Sequence, residues 1–430
     1  MERIVIQGGR RLEGRISVSG SKNATLPLMA AALLGDSPSV ITNVPQLRDI
    51  QTMAEVLRSL GANITVTDNT LTIDPSGFAN TEAPYDIVRK MRASIYVMGP
   101  MLGRLRQAKV SLPGGCAIGP RPIDLHLKGF EALGADILLE HGYVIAHADR
   151  LRGAEFNLLG ASGSSVGATC NVLMAAVTAE GESVIHGAAC EPDVVELVSF
   201  LSKMGAKIEG AGTSTLRISG GRPLHGVAHR VVSDRIEAGT FMTAAAITRS
   251  CIVLENAPLE HMEATTAKLK EIGVAIEPVD GGVAVRGDCG DFKPTSITTG
   301  VYPGFATDMQ AQFMALLATV PGTSIIRETI YVDRFLHAAE LNRLGANIRV
   351  LSGVATIEGV ERLSGAPVMA SDLRASAALV IAGLAAEGTT IVNRIYHIDR
   401  GYERIEQKLR GVGAAIARVS DAEPEPPITE

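Results

Sequence analysis

The residues most suited to chemistry lie in one stretch, Ser111-Leu-Pro-Gly-Gly-Cys-Ala-Ile-Gly-Pro-Arg-Pro-Ile-Asp-Leu-His126. Its Gly and Pro content rules out helix or sheet through the middle. Cys116 follows two glycines that leave its sulfur reachable, and Arg121 stands five residues on. A guanidinium beside a thiol stabilises the thiolate, so this cysteine is a candidate acid or nucleophile rather than a small apolar filler. Asp124 adds a carboxylate to the same segment. A second set of candidates is cationic: Lys22, Arg92, Arg334, Arg374 and Arg400. Their spacing only becomes meaningful once the elements that carry them are recognised.

Those elements repeat. Leu60-Gly-Ala-Asn-Ile64 returns as Leu133-Gly-Ala-Asp-Ile137, Met204-Gly-Ala-Lys-Ile208, Ile272-Gly-Val-Ala-Ile276, Leu344-Gly-Ala-Asn-Ile348 and Val412-Gly-Ala-Ala-Ile416. The glycines at 61, 134, 205, 273, 345 and 413 are 73, 71, 68, 72 and 68 residues apart, a regularity that marks an internal repeat. Each phrase closes an amphipathic helix. From Leu47 to Leu60 the apolar Ile50, Met53, Val56 and Leu57 recur at helical spacing, and Gly61 supplies the left-handed cap. Hairpins follow, as in Ile64–Ile73 or Val279–Val285 with its Asp-Gly turn. Upstream lies a helix apolar nearly all round, such as Leu26–Leu34 or Ala375–Ala386, and then a strand such as Ser39–Val44.

The fold class is therefore α/β, with six repeats of a helix-strand-helix-strand-strand unit arranged as two pseudo-symmetric three-repeat domains. The sixth unit runs into the acidic tail 421–430, which cannot supply a closing strand and is expected to be disordered. Arg3-Ile-Val-Ile-Gln7 is the spare strand. The expected domains are 21–230, carrying the Cys loop, and 1–20 plus 231–420.

Aligned on the repeat, the buried helices start at Ser21-Lys-Asn, Lys90-Met-Arg, Ser164-Ser-Val-Gly, Ser233-Asp-Arg, Ala306-Thr-Asp and Ser371-Asp-Leu-Arg. Free N–H groups and the dipole there attract anions. Ser and Asp are ordinary caps, but Lys22, Arg92 and Arg374 oppose the dipole and gain nothing for the helix. Arg121, Arg334 and Arg400 occupy strand-to-helix loops. Cations at matching points of a chain with net charge -6 suit a small, multiply anionic substrate.

That net charge and the absence of Trp disfavour a nucleic-acid partner. No apolar run is long enough to span a bilayer, and five cysteines without a CxxC pair fit a reducing, cytoplasmic setting. His225 and His229 have HxxxH spacing in a Pro- and Gly-containing stretch without a Glu between them, so no metal site is expected.

Gly20-Ser-Lys-Asn-Ala-Thr-Leu-Pro27, Pro113-Gly-Gly-Cys-Ala-Ile-Gly-Pro-Arg-Pro122, Thr307-Asp-Met-Gln-Ala-Gln312, Ser371-Asp-Leu-Arg-Ala-Ser376 and His397-Ile-Asp-Arg-Gly-Tyr402 together resemble the UDP-N-acetylglucosamine enolpyruvyl transferase family. The resemblance runs to Val419. It implies the inverse α/β barrel fold with two three-repeat domains around a cleft. It also implies transfer of the enolpyruvyl group of phosphoenolpyruvate to the 3-hydroxyl of UDP-N-acetylglucosamine, with phosphate released and no cofactor, metal or obligate protein partner. By that resemblance Lys22, Arg121 and Arg400 face the phosphoenolpyruvate phosphate, and Arg334 and Arg374 its carboxylate. Arg121, Pro122, Ile123, Asp124, Leu125, Ser164, Ser165, Val166 and Gly167 hold the uridine nucleotide. Asn23, Arg92, Asp308 and Ile330 complete the sugar and phosphate contacts, with Asp372 among the substrate-binding residues. Cys116 is the general acid, able to bond covalently to C2. Gly163 stands where family members often carry a basic residue, which leaves backbone N–H groups to meet the diphosphate.

The chemistry agrees. Adding an alcohol across an enol phosphate needs an acid at carbon and a base at the hydroxyl, roles that Cys116 and Asp308 can fill. Two rival readings are a shikimate-3-phosphate enolpyruvyl transferase, which would have no use for Cys116, and a non-catalytic nucleotide-sugar sensor, which would not need Cys116, Lys22 and Asp308 together.

Overall fold

The computed structural model describes residues 2–112 and 123–420. Cys116, Arg121, Pro122 and the acidic tail 421–430 lie outside the described residues. The described chain forms two compact units, one of residues 2–19 and 233–420, the other of residues 20–112 and 123–232. Each has its own apolar core.

Among the described residues there are six four-stranded sheets, three in each unit. In five of these sheets an antiparallel hairpin pairs with the strand that follows the buried helix, and in the sixth an antiparallel pair from the two ends of the chain does so. In all six a short parallel strand covers that strand's other edge. The sheet of Ser39–Thr42 shows the pattern, taking Thr70–Asp74 antiparallel on one side and Ala228–Arg230 parallel on the other. The parallel strand is an addition to the helix-strand-helix-strand-strand unit read from the sequence. It is as short as Glu82–Ala83 or Glu155–Asn157, too brief to show a two-residue period.

Strand Glu2–Gln7 lies antiparallel between Thr389–Asn393 and Ala415–Ser420, completing the sixth sheet. Strand Glu13–Ser17 pairs in parallel with Cys251–Glu255. The chain thus closes this unit with its first residues.

The repeat glycines behave alike. All six have φ between 90° and 120°, a region that a side chain makes costly, which is why each amphipathic helix ends there. Five of the helices between them are enclosed on every side: Lys22–Ala31, Val166–Ala176, Arg235–Ile247, Gln310–Leu317 and Leu373–Ala385. The second repeat departs from the expected continuous helix. Tyr85–Val88, the 3-10 turn Arg92–Val97 and Met98–Leu105 replace it, with Pro100 in the first turn of the last piece, where a missing N–H costs nothing. No helix among the described residues is long and apolar enough to cross a membrane.

Ile4 and Ile6 of the closing strand are fully buried. Replacing either with Ala should lower the unfolding free energy by about 2–5 kcal/mol, measured by urea denaturation. Ile325→Ala, on an exposed strand face, should stay near wild type.

Candidate active site

In the unit of residues 233–420, three sequence candidates converge. The Arg334 Nη1 donates to Asp308 Oδ1 at 2.8 Å, and Arg374 Nε and Nη2 each donate to Asp308 Oδ2 at 3.3 Å. Both guanidinium groups are almost wholly buried, at 6% and 2% exposure, whereas the Asp308 side chain keeps 29%. Burial opposes the charge on Arg334, and Asp308 with Asp372 outweighs it, so its affinity for the proton rises. For Arg374 burial is likewise outweighed, by Tyr402, Asp308 and Asp234.

Local sequence explains the placement. Asp372 caps helix Leu373–Ala385, accepting from the N–H groups of Arg374 (2.9 Å) and Ala375 (3.1 Å), and so fixes Arg374 in the first turn. The Arg374 guanidinium lies 5.3 Å from the Tyr402 ring centroid. The Tyr402 hydroxyl in turn shares hydrogen bonds with Thr240 (2.9 Å) and Gln312 (3.3 Å). Asp308 follows Thr307 in a 3-10 turn, Thr307–Met309. Ile330 sits in the turn before Arg334, and its N–H donates to Glu328 at 2.8 Å. Arg400 ends the 3-10 turn Ile395–Arg400 and is half-buried. That turn is tied down by Arg418, whose two terminal nitrogens reach Asp399 at 2.6 and 3.1 Å. Burial first, then the Arg400 charge, pushes the His397 imidazole below its usual range.

The other unit holds a second group. Lys22 opens helix Lys22–Ala31 behind its cap Ser21 and is nearly buried, with its Nζ 3.2 Å from Asp49 Oδ2. Asn23 follows, half-buried. Ser165 caps helix Val166–Ala176 by accepting from Ala168 N at 3.2 Å, and Ser164, Val166 and Gly167 around it are half-buried. A Cβ on Gly167 would meet His126 Nε2 at 3.3 Å, so glycine there lets the imidazole approach the helix start closely. Gly163 has φ +97°, which accounts for a glycine before this turn. Ile123, Asp124 and Leu125 lead into helix Asp124–Ala132, which brings His126 inside. The His126 Nδ1 takes a hydrogen bond from Asn171 Nδ2 at 3.0 Å, and Asn171 also donates to Ile95 O and accepts from Gly99 N. Arg92 begins the 3-10 turn beside this group and adds its charge to the field at His126.

Sequence reasoning missed Asp49, His126, Asn171, Thr240, Tyr402 and Glu328 as supports of these sites. Tyr402 and His126 lie inside the motifs named above, whereas the side-chain partners of Asp49 and Glu328 are 21 to 29 positions away and leave no local signal. Among the described residues no cluster of three or more His, Cys, Asp or Glu side chains could hold a metal ion. His225 and His229 instead meet the carboxylates of Asp36 (2.8 Å) and Glu196 (3.0 Å).

Known proteins agree with this architecture. The EPSP synthase (3-phosphoshikimate 1-carboxyvinyltransferase) family matches residues 6–409. Among solved structures, the enolpyruvyl transferase NikO from Streptomyces tendae superposes with a TM-score of 0.88 at 26% identity, covering 97% of this chain and 98% of that one. EPSP synthase from Acinetobacter baumannii reaches 0.76 at 18% identity, covering 98% and 100%, a likeness of fold. Two relatives are 55% identical across 98% of this chain and 100% of their own. They are UDP-N-acetylglucosamine 1-carboxyvinyltransferase 2 from Carboxydothermus hydrogenoformans and UDP-N-acetylglucosamine 1-carboxyvinyltransferase from Trichlorobacter lovleyi. The chain belongs to the enolpyruvyl transferases of the EPSP synthase family and, within it, to the UDP-N-acetylglucosamine 1-carboxyvinyltransferases.

His126 yields a pH prediction. Burial, with the Arg92 charge second, lowers its pKa to about 3, against about 6.5 in an unfolded chain. Between those values the unfolded chain holds a proton that the folded one lacks. Stability therefore rises with pH across the window and is lost as pH falls through it, by about 1.4 kcal/mol per unit. His337, lowered to about 4, acts in the same sense. Urea unfolding from pH 4 to 6 should give a shallower slope for His126→Gln than for wild type.

Proposed function

We propose that this chain transfers the enolpyruvyl group of phosphoenolpyruvate to the 3-hydroxyl of UDP-N-acetylglucosamine, releasing phosphate, as the first committed step of peptidoglycan synthesis. The observation that carries this reading is the 55% identity, over nearly the whole of both chains, to proteins named for this transfer. The sugar hydroxyl oxygen bonds to C2 of phosphoenolpyruvate while a proton goes to C3, giving a tetrahedral ketal phosphate. Loss of a C3 proton and departure of phosphate then restore the double bond in the product.

Cys116 is the acid at C3 and Asp308 the base at the hydroxyl. Asp308 is the least buried member of its cluster, with 29% of its side chain exposed, so a substrate hydroxyl can reach it. Arg334 and Arg374 receive the substrate carboxylate; Lys22, Arg121 and Arg400 receive its phosphate. Fixed cations of this kind stabilise charge as it develops. Asn23, Arg92, Ile123, Asp124, Leu125, Ser164, Ser165, Val166, Gly167 and Ile330 hold the nucleotide sugar, with Pro122 beside them and Asp372 fixing Arg374. The reaction takes place in the cytoplasm, needs no obligate protein partner, and is open to inhibition by the epoxide fosfomycin through Cys116.

A phosphate-release assay tests the reaction. Release should require both phosphoenolpyruvate and UDP-N-acetylglucosamine; release driven by shikimate 3-phosphate instead would overturn the reading.

A second experiment separates the two jobs of a thiol. As an acid it only delivers a proton, which Asp can also do in a site that raises its pKa, whereas Ser cannot at neutral pH. Cys116→Asp should keep measurable transfer and Cys116→Ser should lose about 10²–10⁴-fold. Fosfomycin should inactivate the wild type and spare the Asp variant, as read by mass spectrometry of the intact protein.

A further inference from the structure

Glu328 is a buried carboxylate, 2% exposed, immediately after strand Thr323–Arg327. Its Oε1 accepts from Thr299 Oγ1 at 2.8 Å, Ile330 N at 2.8 Å and Tyr331 N at 3.0 Å. Its Oε2 accepts from Thr307 Oγ1 at 2.9 Å. The Thr307 oxygen in turn accepts from Arg334 Nη1 at 3.1 Å, and that same nitrogen donates to Asp308 Oδ1. Both turns that bear site residues, 307–309 and 330–334, are thus fastened to one carboxylate. A side chain serving only to satisfy the strand end would need the two backbone N–H groups and nothing more. The bond to Thr307 points every hydrogen one way, from Arg334 to the Thr307 oxygen and from the Thr307 hydroxyl to Glu328.

We infer that Glu328 is a positioning residue for the transfer reaction, orienting Arg334 and Asp308 through the Thr307 hydroxyl. The inference rests on the function proposed above. Glutamine at this position makes the direction of the bonds decisive. Three donors converge on Oε1, two of them backbone N–H groups that cannot turn round, so the amide oxygen must face them. The amide NH₂ then faces Thr307, whose oxygen already accepts from Arg334. The Thr307 hydrogen loses its acceptor, or the hydroxyl turns and releases Arg334. Shape is kept and the chain of donors is broken.

Steady-state kinetics on the full-length enzyme test this with Glu328→Gln, Thr307→Val, Thr307→Ser and the Gln/Val double variant. Glu328→Gln and Thr307→Val should each lower kcat by about tenfold to a hundredfold, the scale of a hydrogen bond to a charged group. Both should raise KM for phosphoenolpyruvate more than KM for UDP-N-acetylglucosamine, because Arg334 is assigned to the former. Thr307→Ser keeps the hydroxyl and should stay within a few-fold of wild type. The double variant should be no worse than the worse single one, because the two residues act as one chain.

Wild-type kinetics in Glu328→Gln with only a lowered melting temperature, or losses that multiply in the double variant, would overturn the inference. If the Gln variant fails to fold, Val against Ser at 307 decides the same question. Wild-type turnover tests the transferase reading separately. In its absence, a crystal structure of Thr307→Val decides on Glu328: Arg334 displaced from Asp308 supports its role, and an unmoved Arg334 overturns it.

Discussion

A helix that is apolar on every side has no solvated face, and this requirement governs the chain. Residues 236–247 and 374–384 are buried without a break. Such helices must begin in desolvated surroundings, where each free N–H needs an acceptor supplied by the protein or by a ligand. Ser21, Ser165, Asp234 and Asp372 each supply one. Hydroxyls inside the helices also bond backward, Thr25 to Ser21 O, Thr240 to Ile236 O and Thr243 to Gly239 O, so that polar side chains survive in the core. Candidate substrate contacts lie at three of these starts, Lys22 and Asn23 behind Ser21, Val166 and Gly167 behind Ser165, and Arg374 behind Asp372.

Charge at such a place is expensive. Removing an ion from water costs several kcal/mol even after relaxation, and two guanidinium groups are buried around one partly exposed Asp308. Hydrophobic replacements of similar volume would serve stability at least as well. The Arg374 Nη1 is also buried without a hydrogen bond among the described residues. A single buried cationic donor of this kind, beside the Tyr402 ring, is suited to an anionic acceptor. The Asp308 carboxylate offsets part of the desolvation cost in the folded protein by bonding to both guanidinium groups.

What could be read from the sequence was what is local and periodic. The six glycines, the amphipathic helices and the hairpins each declare themselves within about fifteen residues, the window over which period is detectable. Edge strands such as Glu82–Ala83 are shorter than any period, and the break near Lys90 shows only as Pro100, a residue that a first helical turn also accepts. At the candidate site, Lys22, Arg92 and Arg374 stood out because cations at helix starts contradict the dipole. The pairing of Asp308 was not legible: it meets Arg334 across 26 positions and Arg374 across 66. Glu328 after a strand looks like a surface residue until Thr299 and Thr307 are seen to converge on it.

The fourth and sixth repeats show how one scaffold places an arginine differently at two capped helix starts. Each has an aspartate cap accepting two N–H groups, Asp234 from Ile236 and Glu237, Asp372 from Arg374 and Ala375. Each has an arginine close behind, but Arg235 is the first residue after its cap and Arg374 the second. One residue turns a side chain by about 100° around the helix. Arg235 is accordingly half-buried, 5.7 Å from the Tyr302 ring, whereas Arg374 is driven inward against Tyr402 and Asp308. The cap hydrogen bonds are alike in both, although the backbone of the cap residue differs, φ -77° and ψ 108° at Asp234 against φ -151° and ψ 175° at Asp372. A single-residue shift behind a repeated aspartate cap therefore separates a half-buried arginine from a fully buried one, with both caps still made.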